Sequence, residues 1–516
     1  MSPLKRKLLI ITVICAAIME LIDTSIVNVA LTYMSGNLGA TIEDTSWVIT
    51  SYAIANVIII PMTSFLTGRL GRRNYYIGSV ILFIICSFMC GQAANIWELV
   101  GFRFLQGLGG GALLSVSAAV VYEMFPKEKL ATASALFGIG VFIGPTIGPT
   151  LGGYITENLS WPWIFYINVP IGIAAAVSCY YLLPESPIKS KIQAVDWTGI
   201  VLLATGIGSL QTVLERGQTE DWFSSGYILI LSVLAIICLV GFVIWELAID
   251  HPVVDLRVLK SKSLSVAAVL TFITGMGMFT SIFLTPVIAQ RLLGFTPSET
   301  GLLLLPGAII AVLALIASGK LLQRGVPPII IIFFGFLCFI YFNWSMSQMT
   351  LETSSAYITG HLIFRAIGMA LLTVPLSSLA VSSLPVKDMP QATALNNMMR
   401  QLGGSFGISI INTYSARRLA SHRVDLITDI TAVNPQSTDR INAYTNYFQQ
   451  KGIGCLDAHL KAMKLMDNLV VKQSSLMSYL DSYLLIGLLF TLAIPLLFLV
   501  IKKSKGQKVA VVLNDH

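Results

Sequence analysis

Residues 8–32 read LLIITVICAAIMELIDTSIVNVALT, an apolar run that is broken by only two acidic residues, Glu20 and Asp23. A bilayer core about 30 Å thick is crossed by roughly 20 helical residues, so this run is long enough to span it. Backbone amides in lipid have no water to bind, and such a run must therefore be helical. The stretch predicts a first membrane-spanning helix that carries two ionisable groups.

Similar apolar stretches fill the rest of the chain, which is 55% hydrophobic and only 11% charged. A soluble domain of 516 residues could not cover that much apolar surface with so few charges. We predict an all-α integral membrane protein with 14 transmembrane helices, at 8–32, 46–66, 75–94, 98–122, 131–156, 162–183, 196–214, 226–248, 263–289, 297–319, 327–347, 357–381, 391–415 and 479–501.

The distribution of basic residues predicts the orientation of these spans. With the N-terminus in the cytoplasm, 20 of the 33 lysines and arginines fall in inside-facing loops and tails. Only two, Arg216 and Arg291, fall in short outside-facing loops. This bias places both termini in the cytoplasm. The net charge of +7 is thereby a topology signal and does not point to nucleic acid.

The spans divide into groups of six, two and six. We predict an N-terminal six-helix bundle at 1–183, two additional linker helices within 184–250, and a C-terminal six-helix bundle at 251–516. The last bundle contains an extracytoplasmic loop at 416–478. The linker helices are expected to be peripheral and outside the transport path. Internal repetition of this kind is typical of secondary transporters, whose binding site lies between the halves.

Ionisable groups at membrane depth are costly and usually functional. Glu20 lies three residues before Asp23, on the same helical face. Arg103 in the fourth span needs an acidic partner or backbone carbonyls, and either acid could be that partner. Protonation of the acid would then release the arginine, which suits proton coupling. The alternative for all three residues is a purely structural role.

Two more arginines, Arg365 and Arg400, are predicted inside spans twelve and thirteen. Either could line the substrate pathway or anchor its helix to backbone carbonyls, and the sequence favours neither reading. Arg103 and Arg365 each lie in the fourth span of their group of six.

Span five has glycine at every fourth position with prolines between. A face of glycines lets another helix approach closely, and prolines remove amide donors and bend a helix. The pattern predicts either a hinge between conformations or simple helix packing. The residues are Gly140, Gly144, Pro145, Gly148, Pro149 and Gly152, and Gly107 similarly thins span four beside Arg103.

Several chemistries are disfavoured by the sequence. No phosphate-binding Gly-x-x-x-x-Gly-Lys-Ser/Thr motif occurs, so ATP-driven pumping is not supported. The five histidines do not group, and the acids at depth are few and scattered. An intramembrane lipid-modifying enzyme is therefore a remote alternative. We expect a transporter that is not an enzyme and that holds no metal or cofactor, with protons as its coupling ion.

Four segments resemble the fourteen-span drug–proton antiporters of the major facilitator superfamily, in particular the EmrB-type exporters. Residues 21–30 (LIDTSIVNVA) resemble the first-span signature, and 99–107 (LVGFRFLQG) resemble the fourth-span motif. Residues 148–153 (GPTLGG) resemble the fifth-span motif of antiporters, and 163–172 (WIFYINVPIG) are typical of the sixth span.

The resemblance implies a major facilitator fold and proton-coupled export of lipophilic compounds across the bacterial inner membrane. It ties Arg103 to proton coupling, and it places Asn28 and Gln106 in motifs that we assign to the substrate pathway. It also implies a periplasmic adaptor and an outer-membrane channel as partners. Export of one specific metabolite or siderophore is the alternative within this class.

One segment departs from the family pattern. Residues 64–73 (SFLTGRLGRR) only partly match the superfamily motif after span two. Gly68 stands where that motif has an acid, and Ser64 where it has a glycine. The carboxylate that usually latches the cytoplasmic gate is therefore in doubt.

Overall fold

Every regular element of the described chain is helical. The computed structural model describes residues 2–126, 129–184, 196–250, 252–382, 384–385, 388–428, 430–431 and 434–504. The α-helices in these ranges are α1 (Pro3–Leu38), α2 (Ile42–Leu70), α3 (Arg72–Gly91), α4 (Ile96–Glu123), α5 (Leu130–Asn158), α6 (Trp163–Tyr166), α7 (Asn168–Leu182), α8 (Trp197–Arg216), α9 (Gly226–Ala248), α10 (Lys262–Arg291), α11 (Pro297–Gln323), α12 (Pro328–Met346), α13 (Ser355–Ser382), α14 (Met389–Thr428), α15 (Pro435–Gln450) and α16 (Cys455–Ser504).

Helix boundaries follow short capping sequences. The Thr296 side chain accepts from the Glu299 amide while the Glu299 carboxylate accepts from the Thr296 amide, a complete capping box at the start of α11. Asn95 caps α4 by accepting from the amide of Glu98. Between α2 and α3 the chain turns at Gly71 alone, whose φ of 81° is accessible to glycine without strain.

Thirteen helices of the described chain are long and apolar enough to cross a membrane. The stretch predicted as a further span at 391–415 lies in α14, which is not among the thirteen. Its N-terminal half contains Asn396, Asn397 and Arg400, which lower its hydropathy. Helix α14 packs against α10, α16 and α2, so this polar stretch lies against protein.

The helices pack as two groups that meet along a seam. In the first, α1 packs on α5 and α7, and α4 packs on α2 and α3. In the second, α10 packs on α14, and α13 packs on α11 and α12. The groups meet where α5 packs on α11 and where α2 packs on α14. The seam is thus formed by α2, α5, α11 and α14.

Of the two predicted linker helices, α8 contacts both helix groups. Helix α8 packs against α2 and α14, which belong to different groups. The Gln211 Nε2 donates to the Ser405 Oγ on α14 at 2.8 Å, and the Arg216 Nη1 donates to the Ser46 Oγ on α2 at 2.6 Å. Polar side chains on an apolar helix find partners only in protein, and these two direct α8 to the seam. Helix α9 is largely exposed.

The predicted loop at 416–478 is mostly helical. Helix α14 continues beyond the predicted span to Thr428, α15 follows, and α16 begins at Cys455. The Arg418 Nε donates to the Asp481 Oδ2 at 2.5 Å, and this hydrogen bond raises the pKa of Arg418. In a second pair, the Arg423 Nη2 lies 2.9 Å from the Asp467 Oδ1. These pairs tie α14 and α16 together beyond the predicted span at 391–415.

Candidate proton-coupling site

An ion pair between Asp23 of α1 and Arg103 of α4 lies at the centre of the first helix group. The Arg103 Nη1 donates to the Asp23 Oδ2 at 2.5 Å. The Asp23 side chain is 0% exposed and the Arg103 side chain is 1% exposed, so solvent does not reach the pair. Of the two acids considered for Arg103, the structure places Asp23 in direct contact. Buried charges of opposite sign are tolerated when their remaining hydrogen-bonding groups also have partners.

Neutral amides complete the hydrogen bonding of the Asp23 carboxylate. The Asn168 Nδ2 donates to the Asp23 Oδ1 at 2.7 Å, and the Gln106 Nε2 donates to the same oxygen at 3.2 Å. Gln106 also accepts from the Arg103 Nη1 at 2.9 Å, and the Arg103 Nε donates to the carbonyl of Val48 at 3.3 Å. The network therefore joins α1, α2, α4 and α7 through one carboxylate.

Glu20 lies beside this network and is bound by α2 instead of by Arg103. Its Oε1 accepts from the Tyr52 hydroxyl at 3.1 Å and from the Asn56 Nδ2 at 2.9 Å. Glu20 is 2% exposed, and its Oε2 has no hydrogen-bond partner within the described residues. Tyr52 connects the two acidic positions, because its ring centroid lies 4.1 Å from the Arg103 Cζ.

Glycines in α4 create the close contact that brings Tyr52 into the network. A Cβ added at Gly107 would lie 2.6 Å from the Tyr52 carbonyl oxygen and 2.9 Å from the Ala55 Cβ. One added at Gly111 would lie 3.0 Å from the Asn56 carbonyl oxygen. Since real Cβ atoms do not approach that closely, only glycine permits this spacing between α2 and α4.

The glycine face of α5 packs against α1, the helix that carries both acids. A Cβ at Gly144 would lie 2.5 Å from the Leu21 Cβ, and one at Gly152 would lie 2.8 Å from the Ile26 Cγ1. Gly148 faces Ser25 of α1 in the same way. Helix α5 remains helical through Pro145 and Pro149. The site therefore lies on a helix held by a tight, small-residue contact.

The other predicted pathway residues are not part of this network. Asn28 lies on α1 with an exposed side chain whose Nδ2 reaches the carbonyls of Thr24 and Ser25, each at 3.4 Å. Arg365 donates from Nη1 to the carbonyl of Ser281 at 3.3 Å. Arg400 borders a pocket between α10, α13 and α14.

The atypical motif after the second helix is paired with an acid from another helix. Arg72, at the start of α3, forms an ion pair with Glu123 at the end of α4. Its Nη2 also donates to the carbonyl of Pro184 at 3.3 Å. The Arg73 Cζ lies 4.5 Å from the centroid of the Tyr180 ring. An acid from α4 is thus paired with this loop, although position 68 is glycine.

Sequence reasoning did not identify Tyr52 and Asn56, which bind Glu20. Both are uncharged and lie in an apolar helix, so nothing in their local pattern marks them. Asn168 stood out in the sequence only as part of the segment 163–172. The signal that could have identified all three residues is a polar side chain within the otherwise apolar second or sixth span.

A helical membrane protein whose two helix groups meet at a seam, with an ion pair buried in one of them, has the architecture of a secondary transporter. Residues 13–408 match the family model of the Major Facilitator Superfamily. The chain belongs to this superfamily, and it is accordingly a transporter and not an enzyme.

The relatives confirm the resemblance to EmrB-type exporters. The chain is 33% identical to the multidrug export protein EmrB of Escherichia coli over 88% of either chain. It is 31% identical to the fatty acid resistance protein FarB of Neisseria gonorrhoeae over 94% of either chain. It is 27% identical to the colistin resistance protein EmrB of Acinetobacter baumannii over 91% of this chain and 93% of that one.

Two solved structures share the fold. The human organic anion transporter TETRAN superposes with a TM-score of 0.57 at 13% identity, over 95% of this chain and 100% of that one. A bacterial homologue of the human lysosomal transporter Spinster, solved inward-facing and unoccupied, also gives 0.57 at 13% identity, over 97% of this chain and 98% of that one. At this identity the likeness concerns the fold alone.

Proposed function

We propose that this chain is a proton-coupled antiporter that exports hydrophobic or amphiphilic toxic compounds by alternating access. The observation that carries the proposal is the buried ion pair between Asp23 and Arg103, whose hydrogen-bond network joins four different helices. Relatives of this chain are named for multidrug export and for fatty acid and colistin resistance, and these names support the multidrug substrate class.

Protonation of Asp23 is the step that couples the proton to the conformational change. Removing one charge from a buried pair leaves the other uncompensated, which costs about 3–5 kcal/mol. The arrangement in which Arg103 binds Asp23 is stable while both side chains are charged, and it loses that stability when Asp23 is protonated. Arg103 then moves toward water or backbone carbonyls, and the helices that share the network move with it.

Glu20 is the second acid of this step. It has no ion pair in the described chain, and it touches Arg103 only through the Tyr52 ring and hydroxyl. In the proposed cycle it receives or relays protons beside Asp23. The substrate binds between the two helix groups from the cytoplasm or the inner leaflet.

The proton gradient supplies enough free energy for this task. One charge that crosses a potential of 100 mV releases about 2.3 kcal/mol. At about 1.4 kcal/mol per tenfold change, this supports a substrate gradient of roughly fiftyfold. Protons suffice as the coupling ion, and no other cofactor enters the scheme.

The proposal includes fourteen spans with both termini in the cytoplasm of a bacterium, in its inner membrane. Helix α14 then counts as the thirteenth span, shielded from lipid by its neighbours. The helical extension formed by the end of α14, by α15 and by the start of α16 lies outside the cytoplasm. We propose this extension as the contact for a periplasmic adaptor that leads to an outer-membrane channel.

The experiment that tests the coupling compares Asp23→Asn with the natural chain in inverted membrane vesicles. Uptake of a lipophilic fluorescent dye driven by a proton gradient should fall at least tenfold (about 1.4 kcal/mol). Dye exchange without a gradient should persist, because it does not require the coupled proton. Asp439→Asn, the same change at an exposed acid of α15, should behave like the natural chain. Normal gradient-driven uptake by Asp23→Asn would refute the assigned role.

A further inference from the structure

The turn between α8 and α9 bridges the two helix groups. On one side, the Arg216 Nη1 donates to the Ser46 Oγ of α2 at 2.6 Å, and the Arg216 Cζ lies 4.8 Å from the centroid of the Trp47 ring. On the other side, the Trp222 Nε1 donates to the Thr413 Oγ1 of α14 at 3.1 Å. Helices α2 and α14 belong to different groups and pack against each other. Residues 216–222, which we call the bridging turn, therefore cross the seam.

The bridging turn lies at one end of the seam. Arg216 is the last residue of α8, Ser46 lies near the start of α2, and Thr413 lies near the end of the predicted span at 391–415. Helix α1 ends and α2 begins at this same end of the bundle. In the orientation proposed above, this is the extracytoplasmic end.

The backbone of the bridging turn is strained. Asp221 has a φ of 55° and Trp222 has a φ of 50°, values in the left-handed region that bulky residues rarely adopt. The Trp222 amide donates to the Gly217 carbonyl at 2.7 Å, and a Cβ at Gly217 would lie 2.7 Å from the Trp222 Cε3. A strained backbone persists only where surrounding contacts hold it. These contacts fold the indole onto Gly217, with its Nε1 bound to α14.

Arg216 anchors the bridging turn on the first helix group through several contacts. Besides the Ser46 hydroxyl and the Trp47 ring, the Glu220 Oε1 lies 3.6 Å from the Arg216 Nη2. Arg216 is only 7% exposed. A guanidinium over an aromatic ring is attracted more strongly when it is shielded from water. Removing Arg216 from α2 would therefore break several contacts together.

The contacts of α8 with the second group are weaker. Side-chain hydrogen bonds join α8 and its turn to α14, from Trp222 to Thr413 and from Gln211 to Ser405. Helix α8 packs less extensively on α14 than on α2. Because all four of these side chains are uncharged, water can replace their hydrogen bonds at small net cost. The link to α14 is therefore the one that separates when the two groups part.

We propose that the bridging turn forms an extracytoplasmic gate, which closes the seam while Trp222 binds Thr413 and opens when this bond breaks. Helix α8 then moves with α2 and the first group, and Arg216 stays on Ser46. This inference rests on the proposed alternating access, because that cycle requires the seam to open on the extracytoplasmic side. It adds the residues that hold this side shut. A turn that served only to connect α8 with α9 would need no contact with α14.

The gate is anchored next to the ion-pair network. Val48 follows Trp47 in α2, and its carbonyl accepts from the Arg103 Nε at 3.3 Å. Arg103 and Arg216 thus bind neighbouring residues in one turn of α2. A displacement of Arg103 therefore acts on the same turn of α2 that anchors the gate.

Distances between spin labels on the purified full chain in lipid nanodiscs test the gate without any proton gradient. Asn37→Cys in α1 and Arg417→Cys in α14 carry nitroxide labels at exposed positions of the two groups. Cys15 and Cys455, which are exposed and free, are replaced by serine. Double electron–electron resonance then measures the ratio of the longer, open separation to the shorter, closed one.

Loss of the bond between Trp222 and Thr413 should open the gate. Trp222→Phe retains a ring over Gly217 and removes the Nε1 donor, and Thr413→Val removes the acceptor. We expect each change to raise the ratio of open to closed separations about fivefold, the effect of one hydrogen bond. The double variant should match the larger single effect, because both changes remove the same bond. Trp197→Phe, at an exposed residue at the other end of α8, should leave the ratio unchanged.

Displacement of the Trp222 ring should have the same effect. Gly217→Ala introduces a Cβ 2.7 Å from the Trp222 Cε3, so the indole must move from its place beside Thr413. We expect the ratio of open to closed separations to rise at least as much as in Trp222→Phe. Gly226→Ala, where no atom lies within 4 Å of the added Cβ, provides the control.

Two results would overturn the gate. One is an unchanged ratio of separations in Trp222→Phe and Thr413→Val, which would leave the turn as a simple connector. The other is an equal rise in Trp197→Phe, which would show that the bond to α14 is not the cause. A raised ratio in Trp222→Phe, in a chain that shows no gradient-driven dye transport, would instead contradict the proposed function alone.

Discussion

The Tyr52 ring centroid lies 4.1 Å from the Arg103 Cζ, while the Tyr52 hydroxyl donates to Glu20 at 3.1 Å. One side chain thus touches the arginine of the ion pair with its face and the second acid with its edge. A cation over a desolvated aromatic ring contributes about 2 kcal/mol. Tyr52 therefore links the two acidic positions, which have no direct hydrogen bond in the described structure.

The two functions of Tyr52 can be separated by substitution. Tyr52→Phe retains the ring beneath Arg103 and removes one of the two donors to Glu20, and we expect gradient-driven dye uptake to fall severalfold. Tyr52→Ala removes both contacts, and we expect a larger loss together with a lower unfolding temperature. Tyr33→Phe, at an exposed residue of α1, serves as the control. Equal activity of Tyr52→Phe and the natural chain would contradict a role for the hydroxyl.

The contact between α1 and α5 should not tolerate a side chain on the glycine face. Gly144→Val places its Cβ 2.5 Å from the Leu21 Cβ, so the helices must separate. Overpacking costs about 1–3 kcal/mol, and it also displaces the helix that carries Asp23. We expect a lower unfolding temperature and loss of transport. Gly78→Val, where no atom lies within 4 Å of the added Cβ, should leave both measurements near those of the natural chain.

Helix α8 should contribute to transport through its bond to α14. Gln211→Leu and Ser405→Ala each remove the 2.8 Å hydrogen bond between them, and we expect either change to slow dye transport. The double variant should be little slower than the worse single variant, with a coupling of about 1 kcal/mol, because both changes remove the same interaction. Ser232→Ala in α9, whose hydroxyl bonds only its own helix at Ile228, provides the control. Additive effects of the two changes would show that the bond is not used.

The ion pair between Arg72 and Glu123 should stabilise the end of the first helix group. Arg72 is 4% exposed, so Glu123→Gln leaves a buried guanidinium without its carboxylate. Because Glu123 itself is partly exposed, we expect a loss of about 1–3 kcal/mol, somewhat below the value for a fully buried pair. The unfolding temperature in detergent measures it. Glu157→Gln, at an exposed acid near the end of α5, should have no effect, and an unchanged temperature for Glu123→Gln would rule out a latch.

Much of the fold follows directly from composition and periodicity. Thirteen of the predicted spans coincide with helices that are long and apolar enough to cross a membrane. The stretch at 391–415 is less apolar because it contains polar residues such as Asn396 and Asn397. These residues are buried against other helices, and a mean hydropathy takes no account of such neighbours. The helical extension after Ala416 was predicted as a loop because a polar segment gives no sign of pairing with a distant helix.

Only part of the candidate site could be predicted from the sequence. Asp23, Glu20 and Arg103 stand out because a charge inside an apolar run is costly wherever it lies. Which acid meets the arginine is a matter of how α1 and α4 cross, which no local pattern contains. The same holds for Tyr52 and Asn56, since neutral residues carry no penalty that would mark them in a sequence.

The sequence by itself determined that this protein is a bundle of membrane-spanning helices with a few buried charges, because lipid admits no other backbone and few ionisable groups. Only the tertiary structure decided that Arg103 binds Asp23, that Glu20 is bound by α2, and that Arg400 borders a pocket between α10, α13 and α14. Pairing depends on distances of a few ångströms between residues far apart in the chain, and packing alone sets those distances.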